Sequence, residues 1–469
     1  MSSKVCLSSC VPVALFMILT TSHLTWGAEN CPQFVSTGRL IQNKYPGCVC
    51  LQEFVSGLRN PMAMLQPDDG TGRFFIVEQI GVVRVADKYG RLRREPLLDL
   101  RRRVLTSDTA GDERGLLGMA LHPRFNETGY MYVFYTTEAR PGEFRAVVSR
   151  LNVSNDENSR VDPRYEKVLL EIEQPADRNN GGQLLFGLDG FLYISVGDGG
   201  GGGDTAGDRS SLLGKILRID VDGAGPERPY GIPADNPFVS KVMWPDARPE
   251  VYALGFRNPW RCGLDPGDDG GYGRGRIFCG DVGDSSYEEI SIISKGRNHG
   301  WPDREGHTCQ NPGKCAGDDI LPIDVYARTD GERIAVIGGV MYRGCGVPDV
   351  RGLYLYADYL GLMNKELFYL DEQPNGSWMN GTVCVLDNAA CMTDLQQSVK
   401  TEDHFILAFG QDFAGEVYLL TTTSPVVSQR TGRIFKLVDP RSTASPVSVL
   451  PVAFLLSLAV LVITLGSEV

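Results

Sequence analysis

The chain has 469 residues, with 58 acidic and 46 basic side chains and a net charge of −12. This acidic balance argues against nucleic acid as a partner, because a protein that binds phosphate groups needs an excess of Lys and Arg. The length predicts either two or three domains or one large all-β fold.

The first 27 residues have the three zones of a secretory signal peptide. Lys4 gives a weakly basic start, residues 11–20 form an apolar run, and small residues precede Ala28. The apolar run is too short to span a bilayer comfortably, which favours a cleaved signal peptide over the alternative, an uncleaved anchor. We therefore expect residues 1–27 to be removed and the rest of the chain to become extracellular.

Cysteine usage agrees with secretion. Of the twelve cysteines, Cys6 and Cys10 leave with the predicted signal peptide, and ten remain. An even number in an oxidising compartment predicts disulfides, although spacing alone does not give their connectivity. Residues 28–52 form a cysteine-containing segment, in which Cys48 and Cys50 lack a matching Cys/His pair at zinc spacing. Four sequons predict N-glycosylation of surface loops, at Asn126, Asn152, Asn375 and Asn380.

Strand-like stretches recur along residues 53–438, each rich in aromatic and β-branched residues and each interrupted by Gly, Asp or Asn. Six such units begin roughly 60 residues apart, the spacing expected of four-stranded sheets with long loops. A single sheet cannot bury both of its faces, and a radial arrangement solves this problem. We therefore predict an all-β, six-bladed β-propeller with disulfide-reinforced loops; a β-sandwich and two smaller β domains are alternatives that explain the repetition poorly. The units lie at 73–85, 130–151, 190–221, 251–293, 338–370 and 405–437.

Residues 439–469 predict attachment to a membrane. The stretch 449–465 is apolar apart from Pro451, Ser457 and Thr464. A stop-transfer helix normally has Lys or Arg on its cytoplasmic side, but neither residue follows this stretch. Small residues at 442–445 precede this tail, which favours a glycosylphosphatidylinositol (GPI) signal, whose tail is replaced by lipid. A single-pass helix is the alternative because the polar spacer is short, and a secreted form is the third possibility.

Four segments carry motifs in a fixed order along the chain. They are 111–125 (GDERGLLGMALHPRF), 180–203 (NGGQLLFGLDGFLYISVGDGGGGG), 255–264 (GFRNPWRCGL) and 280–303 (GDVGDSSYEEISIISKGRNHGWPD). With these motifs the chain resembles the glucose/sorbosone dehydrogenase family of six-bladed propellers. Within that family it is similar to the hedgehog-interacting-protein-like proteins, and the GCVC sequence at 47–50 is a further mark of them.

The resemblance also implies a disulfide scheme. Two bridges would tie Cys48 and Cys50 to a late loop and so reinforce closure of the propeller ring. The implied pairings are Cys48–Cys384, Cys50–Cys391, Cys262–Cys279, Cys309–Cys315 and Cys31–Cys345.

Dehydrogenases of this family oxidise a sugar hydroxyl with pyrroloquinoline quinone and Ca²⁺, so the resemblance implies positions for a base, a cofactor and a cation. Arg257 and Asn258 match the pair beside the quinone, although a structural turn before Pro259 explains them equally well. Gly283 and Asp284 match the residues whose backbone carbonyls hold Ca²⁺.

The histidine base of the family is replaced in this chain. Asn179 stands at that position, and an amide does not accept a proton near neutral pH. Glu113 is the candidate replacement, because a carboxylate can accept one. The expected quinone pocket is also poor in cations, since residues 405–407 are apolar and residues 359–362 include no basic side chain. A cofactor with three carboxylates would bind poorly there.

Two functions follow as hypotheses. We favour a non-catalytic propeller at the cell surface that binds an extracellular protein or carbohydrate. Its glycine-rich loop with Asp204 and Asp208 matches the ligand-contacting loop of the hedgehog-interacting-protein-like branch, although five consecutive glycines favour a flexible, solvated loop instead. The alternative is a quinone-dependent sugar dehydrogenase acting on CH–OH groups, in which Glu113 replaces the base and Arg257 stabilises the developing charge.

Overall fold

The computed structural model describes residues 47–441 except 155–158, 202–203, 225–227, 316, 329–332, 364–365, 387–390 and 392–402. The predicted signal peptide and the apolar stretch 449–465 lie outside these residues. None of the helices in the described part has the length and apolar character needed to cross a bilayer.

Antiparallel sheets make up most of the structure. After a first strand, β1 (Cys48–Leu58), three four-stranded sheets follow in chain order. The first contains β2 (Pro61–Leu65), β3 (Phe74–Glu78), β4 (Val82–Ala86) and β5 (Leu98–Asp99). The second contains β6 (Leu116–Leu121), β7 (Tyr130–Arg140), β8 (Glu143–Asn152) and β9 (Lys167–Gln174). The third contains β10 (Leu184–Phe186), β11 (Leu192–Val196), β12 (Lys215–Ile219) and β13 (Val251–Leu254).

The remaining strands form a fourth four-stranded sheet, a small hairpin and one large sheet. The fourth sheet contains β14 (Pro259–Leu264), β15 (Ile277–Asp281), β16 (Tyr287–Ile292) and β19 (Asp324–Ala327), and the hairpin consists of β17 (Arg304–Glu305) and β18 (Thr308–Cys309). The large sheet adds β20 (Val336–Met341), β21 (Tyr354–Asp358), β22 (Glu366–Glu372), β23 (Trp378–Val385), β24 (Phe405–Gln411), β25 (Val417–Thr422) and β26 (Gly432–Val438). Helices are short: α1 (Phe125–Thr128) and 3₁₀ turns at Pro163–Tyr165, Asp204–Ala206 and Pro348–Val350.

The first strands of the sheets surround a common axis. Strands β2, β6, β10, β14, β20 and β24 contact one another in this order, and β24 also contacts β2. Short apolar runs such as β3 and β11 are buried along their whole length, as expected of strands that are covered on both faces. One large apolar cluster extends through residues of all these sheets. The fold is therefore all-β and propeller-like.

Strand β1 joins two halves of an eight-stranded sheet. Its residues Cys48 and Val49 pair in parallel with Cys384 and Val385, whereas its later residues pair antiparallel with β26. The resulting strand order is β20-β21-β22-β23-β1-β26-β25-β24. The strand runs across position 52, where the sequence analysis placed the border between the cysteine-containing segment and the propeller.

Two disulfides hold β1 in this position, a third joins the paired strands β14 and β15, and a fourth closes a local loop after β18. The described residues contain four of the pairings that the resemblance implies: Cys48–Cys384, Cys50–Cys391, Cys262–Cys279 and Cys309–Cys315. Cys345 is also disulfide-bonded. Its expected partner, Cys31, lies outside the described residues.

One predicted unit boundary is wrong. The sequence pattern predicts one repeat over residues 251–293, but β13 pairs with β12 in the third sheet, and β14 starts the fourth. The chain leaves the third sheet at Gly255, whose φ of 82° is a left-handed conformation that favours glycine. The connection between the two sheets is therefore only the four residues 255–258, and periodicity alone does not reveal that a sheet ends there.

Candidate functional site

The residues singled out in the sequence lie at one end of the sheets. Glu113 precedes β6, Asn179 precedes β10, and Arg257 and Asn258 directly precede β14. Asp281 ends β15, the antiparallel neighbour of β14, and so it lies at the same end. We call this end of the sheets, where the first strands begin, the site face.

Glu113 connects Asn179 and Asn258. Its Oε2 accepts a hydrogen bond from the backbone N–H of Asn179 at 2.8 Å and another from Nδ2 of Asn258 at 3.1 Å. The Oδ1 of Asn258 accepts from the backbone N–H of Gly181 at 3.0 Å. Burial of the carboxyl group raises the pKa of Glu113, although the two donors act in the opposite direction. The predicted proton acceptor is thus already hydrogen-bonded within the protein.

Asn179, which the resemblance matches to the family's histidine, is held by burial and by a hydrogen bond of its side chain. It is buried and adopts a φ of 55°, in the left-handed region that asparagine tolerates better than most residues. Its Nδ2 donates to Oδ1 of Asp198 at 2.8 Å. The side chain therefore acts as a donor to a carboxylate, and it has no group that could remove a proton from a substrate.

Arg257 is fixed by the loop that follows β15. Its guanidinium donates to the carbonyls of Val282 at 3.1 Å and Gly283 at 2.7 Å, and to Oδ1 of Asp284 at 3.0 Å. The backbone N–H groups of Arg257 and Asn258 donate to the two carboxylate oxygens of Asp281, at 3.0 and 2.6 Å. The GFRNP motif is thus a turn that its own hydrogen bonds stabilise, with the guanidinium directed at backbone carbonyls.

The predicted Ca²⁺ ligands do not fit a cation in this arrangement. The carbonyl of Gly283 accepts from Arg257 and also from Arg328, at 2.7 and 3.0 Å, so two guanidinium groups already engage the oxygen that a cation would need. Asp284 forms an ion pair with Arg257. Within the described residues, no group of three or more His, Cys, Asp or Glu side chains is placed to hold a metal ion. Like charges at this distance would repel Ca²⁺.

Two carboxylates that the sequence analysis did not single out organise the site. Asp198 accepts from Asn179 and, through Oδ2, from Nε1 of Trp301 at 3.0 Å. Asp281 caps the backbone of the GFRNP turn, and its burial raises its pKa. Asp198 follows the fully buried strand β11 in the sequence GDG, and Asp281 ends the fully buried strand β15 in the sequence GDVGD. An acidic residue at the end of an apolar strand is therefore the sequence signal that could have identified both, because functional residues of a propeller lie in the loops at its strand ends.

A cavity of about 230 Å³ lies beside Glu113 on the axis of the sheets. Its polar end is formed by Asn60, Gln79, Asp112, Glu113 and Asn258, and most of its wall is apolar. The apolar wall includes Met62 of β2, Trp260 of β14, Ile337 of β20, Leu407 of β24 and Tyr359.

This cavity does not fit pyrroloquinoline quinone. Neither Lys nor Arg is among the described residues that line it, whereas Asp112 and Glu113 are acidic. Three ligand carboxylates would have to lose their water without gaining a cationic partner, which is strongly unfavourable. The scarcity of cations predicted from residues 359–362 and 405–407 thus extends to the whole described wall.

The glycine-rich loop is described in part, and residues 202 and 203 lie outside the described residues. Asp204 starts a 3₁₀ turn and lies 3.3 Å from Nζ of Lys314, and both side chains are exposed. Asp208 accepts from the backbone and the hydroxyl of Ser210, at 2.8 and 2.6 Å. The turn lies between β11 and β12, on the site face.

All four predicted glycosylation sequons lie at the opposite end of the sheets. Asn126 lies between β6 and β7, Asn152 ends β8, Asn375 lies between β22 and β23, and Asn380 is close to the start of β23. Each of the four is exposed. Asn126 and Asn152 line one surface groove.

Comparison with known proteins gives the family of the chain. The profile of the glucose/sorbosone dehydrogenase family matches residues 58–385. The chain belongs to this family. It is also 31% identical over 424 residues to the mouse Hedgehog-interacting protein, covering 88% of this chain and 56% of that protein. For the human Hedgehog-interacting protein the values are 32% over 410 residues, 85% and 54%. The chain thus spans little more than half of the length of these two relatives.

Solved structures of the family share the fold. The soluble aldose sugar dehydrogenase of Escherichia coli, in its apo form, superimposes with a TM-score of 0.65, covering 84% of this chain and 100% of that chain. The sequence identity is 21%. At this identity, the likeness concerns the fold and does not extend to the activity.

Proposed function

We propose that this chain is an extracellular binding protein whose inherited dehydrogenase site has lost its chemistry. One observation carries the proposal. At the position of the family's base, Asn179 donates its amide to Asp198, while the carbonyl of Gly283 accepts from both Arg257 and Arg328. A site of this kind lacks a general base, and guanidinium groups already engage the oxygen that a cation would need. Its hydrogen bonds stabilise the loops of the site face instead.

The proposal includes a six-bladed propeller. In this interpretation the eight-stranded sheet counts as two blades. One blade consists of β20–β23 and the other of β24–β26 with β1, and the parallel pairing of β1 with β23 connects the two. The four other sheets supply one blade each. The circular contacts of the first strands support this count.

The binding surface that we propose is the site face. The predicted sequons lie at the opposite end of the sheets, so glycans attached there would leave the site face accessible. The turn with Asp204 and Asp208 projects from this face, and Asp204 has an exposed side chain. The names of the mouse and human relatives suggest a hedgehog-type protein as the partner, and a carbohydrate is the alternative ligand.

A binding titration tests this surface. The variant Asp204→Asn removes an exposed charge, and the pair Asp268→Asn with Asp269→Asn removes charge from the β14–β15 loop on the opposite face. We expect Asp204→Asn to weaken binding to an immobilised hedgehog-type protein by about tenfold, the equivalent of one desolvated charge contact. The opposite-face pair should bind like the original chain. Equal affinity of all three proteins would exclude this loop as the contact.

We further propose that the protein is attached to the outer surface of the cell. This rests on the predicted signal peptide at 1–27 and the predicted GPI signal within 439–469. Treatment of intact cells with phosphatidylinositol-specific phospholipase C should release the protein into the medium. Retention on the treated cells would favour the single-pass helix, and release without enzyme would favour a secreted form.

A quinone-dependent dehydrogenase is the second candidate function, and Glu113 is the observation in its favour. Its carboxyl lies 3.1 Å from Asn258, and burial raises its pKa towards the range of a useful proton acceptor. Incubation with Ca²⁺ and pyrroloquinoline quinone, followed by dye reduction with aldoses, tests it. We expect no turnover. Turnover that disappears in Arg257→Ala or Glu113→Gln would replace the binding proposal.

A further inference from the structure

We propose that the axial cavity binds a small uncharged molecule that has a hydroxyl group on an apolar, ring-sized body. The cavity measures about 230 Å³. A cavity of roughly 150 Å³ suffices to hold benzene, so this one accommodates a single ring with one or two substituents. The inference goes beyond the proposed surface function, because the cavity and the turn at Asp204–Ala206 are separate features.

Asn60 supplies the polar contact that points to a ligand. It lines the cavity and is only 2% exposed. Its Nδ2 donates to Oε1 of Gln79 and to the carbonyl of Pro425, each at 2.9 Å, which fixes the orientation of the amide. Its Oδ1 has no hydrogen-bond partner among the described residues. A buried acceptor without a donor is unfavourable, so a ligand hydroxyl that donates to Oδ1 would be stabilised there.

The polar neighbours Gln79 and Asp112 have no donor left for Asn60. The Nε2 of Gln79 donates to the carbonyls of Asp112 at 2.7 Å and Arg114 at 2.8 Å, and its Oε1 already accepts from Asn60. The carboxylate of Asp112 is paired with Arg114 at 2.9 Å. This end of the cavity therefore accepts hydrogen bonds, which selects for a ligand that donates and disfavours an anion.

The opposite wall selects for an apolar ring. Trp260 and Tyr359 both line the cavity, and Tyr359 is held by stacking on Phe405 with ring centroids 4.7 Å apart. Met62 and Leu407 complete this wall. Aromatic and aliphatic surfaces favour a ring over a flexible polar chain. A cationic ligand is disfavoured as well, because Asp112 is already paired with Arg114 and Glu113 already accepts from Asn179 and Asn258, so the cation would lose its hydration without gaining an unpaired carboxylate.

Binding of four probes of similar size tests the inference on the full chain. Benzyl alcohol, toluene, benzoate and benzylamine share a ring and differ in the group attached to it. We expect saturable binding of benzyl alcohol, measured by calorimetry and by a rise in melting temperature, and about tenfold weaker binding of each other probe. Tighter binding of benzoate or benzylamine, or no saturable binding of benzyl alcohol, would overturn the proposal.

Two variants localise the binding. Ala335 lines the cavity, so Ala335→Phe should fill it and abolish binding, whereas Ala139→Phe adds the same ring at an exposed position and should not. Asn60 has a φ of 43°, which glycine adopts readily, so Asn60→Gly removes the acceptor without straining the backbone. We expect Asn60→Gly to bind benzyl alcohol and toluene equally. Persistent discrimination in Asn60→Gly, or binding in a folded Ala335→Phe, would contradict the assignment.

Discussion

Single carboxylates determine how the loops of the site face are arranged. Glu305 is the strongest case, because its Oε1 accepts from the backbone N–H groups of Asp284, Ser285, Ser286 and Tyr287, at 2.8 to 3.2 Å. Burial alone would raise its pKa, but these donors outweigh burial and lower the pKa of Glu305 below its ordinary value. The charge of Glu305 therefore stabilises the folded chain.

The variant Glu305→Gln should lower the free energy of unfolding by about 1–3 kcal/mol at pH 7, because an amide oxygen accepts N–H groups less strongly than a carboxylate. A carboxyl group whose pKa is lower in the folded chain than in the unfolded chain stabilises the fold when the pH is above its unfolded-state pKa. This stabilisation is lost as the pH falls through the folded-state pKa. The difference between the two proteins should thus shrink below about pH 4.5. Urea titrations from pH 3 to 8 measure it.

Glu171→Gln is the matched control. Glu171 pairs with Arg145 at the surface, with a side chain that is 49% exposed. We expect a change within about 0.5 kcal/mol at any pH. If Glu305→Gln behaves like this control, the four N–H donors contribute nothing specific to stability.

At individual positions, the sequence indicated which residues are candidates for the site but not which contacts they make. Asn179 and Glu113 were both recognisable, but their hydrogen bond joins residues 66 positions apart and depends on the circular arrangement of sheets. The pairing of Gly283 with two arginines could not be predicted, because a backbone carbonyl leaves no signature in the sequence. Asn60 was missed for a similar reason: what distinguishes it is an atom without a partner, which only the folded chain reveals.

Among the structural elements, the turn at Asp204–Ala206 depends on a buried lysine. Lys215 begins β12 and is fully buried. Its Nζ donates to the carbonyls of Thr205 at 2.7 Å, Ala206 at 2.9 Å and Leu213 at 2.6 Å. Burial lowers the pKa of Lys215 to about 7. The ammonium group thus attaches the turn to the third sheet.

Replacing Lys215 with Met should release this turn, since three carbonyls lose their donor. We expect amide exchange in residues 204–208 to become at least about tenfold faster, measured by hydrogen–deuterium exchange at pH 7. The free energy of unfolding of the original chain should also rise between about pH 7 and 10, because the unfolded lysine binds a proton there that the folded one has lost. This slope should be absent in Lys215→Met.

Lys314→Met provides the control for the same turn. Lys314 contacts Asp204 from the surface, and an exposed ion pair of this kind contributes little. Exchange in residues 204–208 should hardly change in this variant. Equal acceleration in both variants would show that surface charge, rather than the buried amine, holds the turn.

Strands were predicted well where alternating or fully apolar runs end at a glycine turn, as in β3 with β4 and β11 with β12. The prediction failed at residues 251–264, since β13 and β14 belong to different sheets and the turn with Arg257 and Asn258 separates them. Contacts between strands, which local propensity does not include, decided this case.

Across the whole molecule, two disulfides act on the same closure. Cys48–Cys384 and Cys50–Cys391 each connect positions more than 330 residues apart in sequence. Closing so long a loop contributes about 5 kcal/mol in the chain-entropy model. Once either bridge is present, the other closes only a short additional loop.

Removing both bridges by Cys→Ser substitution should therefore destabilise the protein by about 8 kcal/mol, the sum of one long and one short closure, whereas removing either one alone should cost only about 2–3 kcal/mol, as for a short loop. Urea midpoints of the three variants measure these values. The Cys309–Cys315 bridge spans 6 residues and serves as the control, with an expected loss of about 2 kcal/mol. Additive losses from the two long-range bridges would show that they do not share one closure.

The place of β1 between β23 and β26 also has a consequence for biosynthesis. β1 leaves the ribosome before every other described strand, yet both of its neighbours are translated more than 300 residues later. During that interval the nascent chain carries an open sheet edge and two reduced thiols, both of which invite pairing with the wrong partner. Oxidation of Cys48 and Cys50 can be completed correctly only after translation has reached Cys391. The oxidation state of these cysteines would therefore indicate whether β1 has reached its place between β23 and β26.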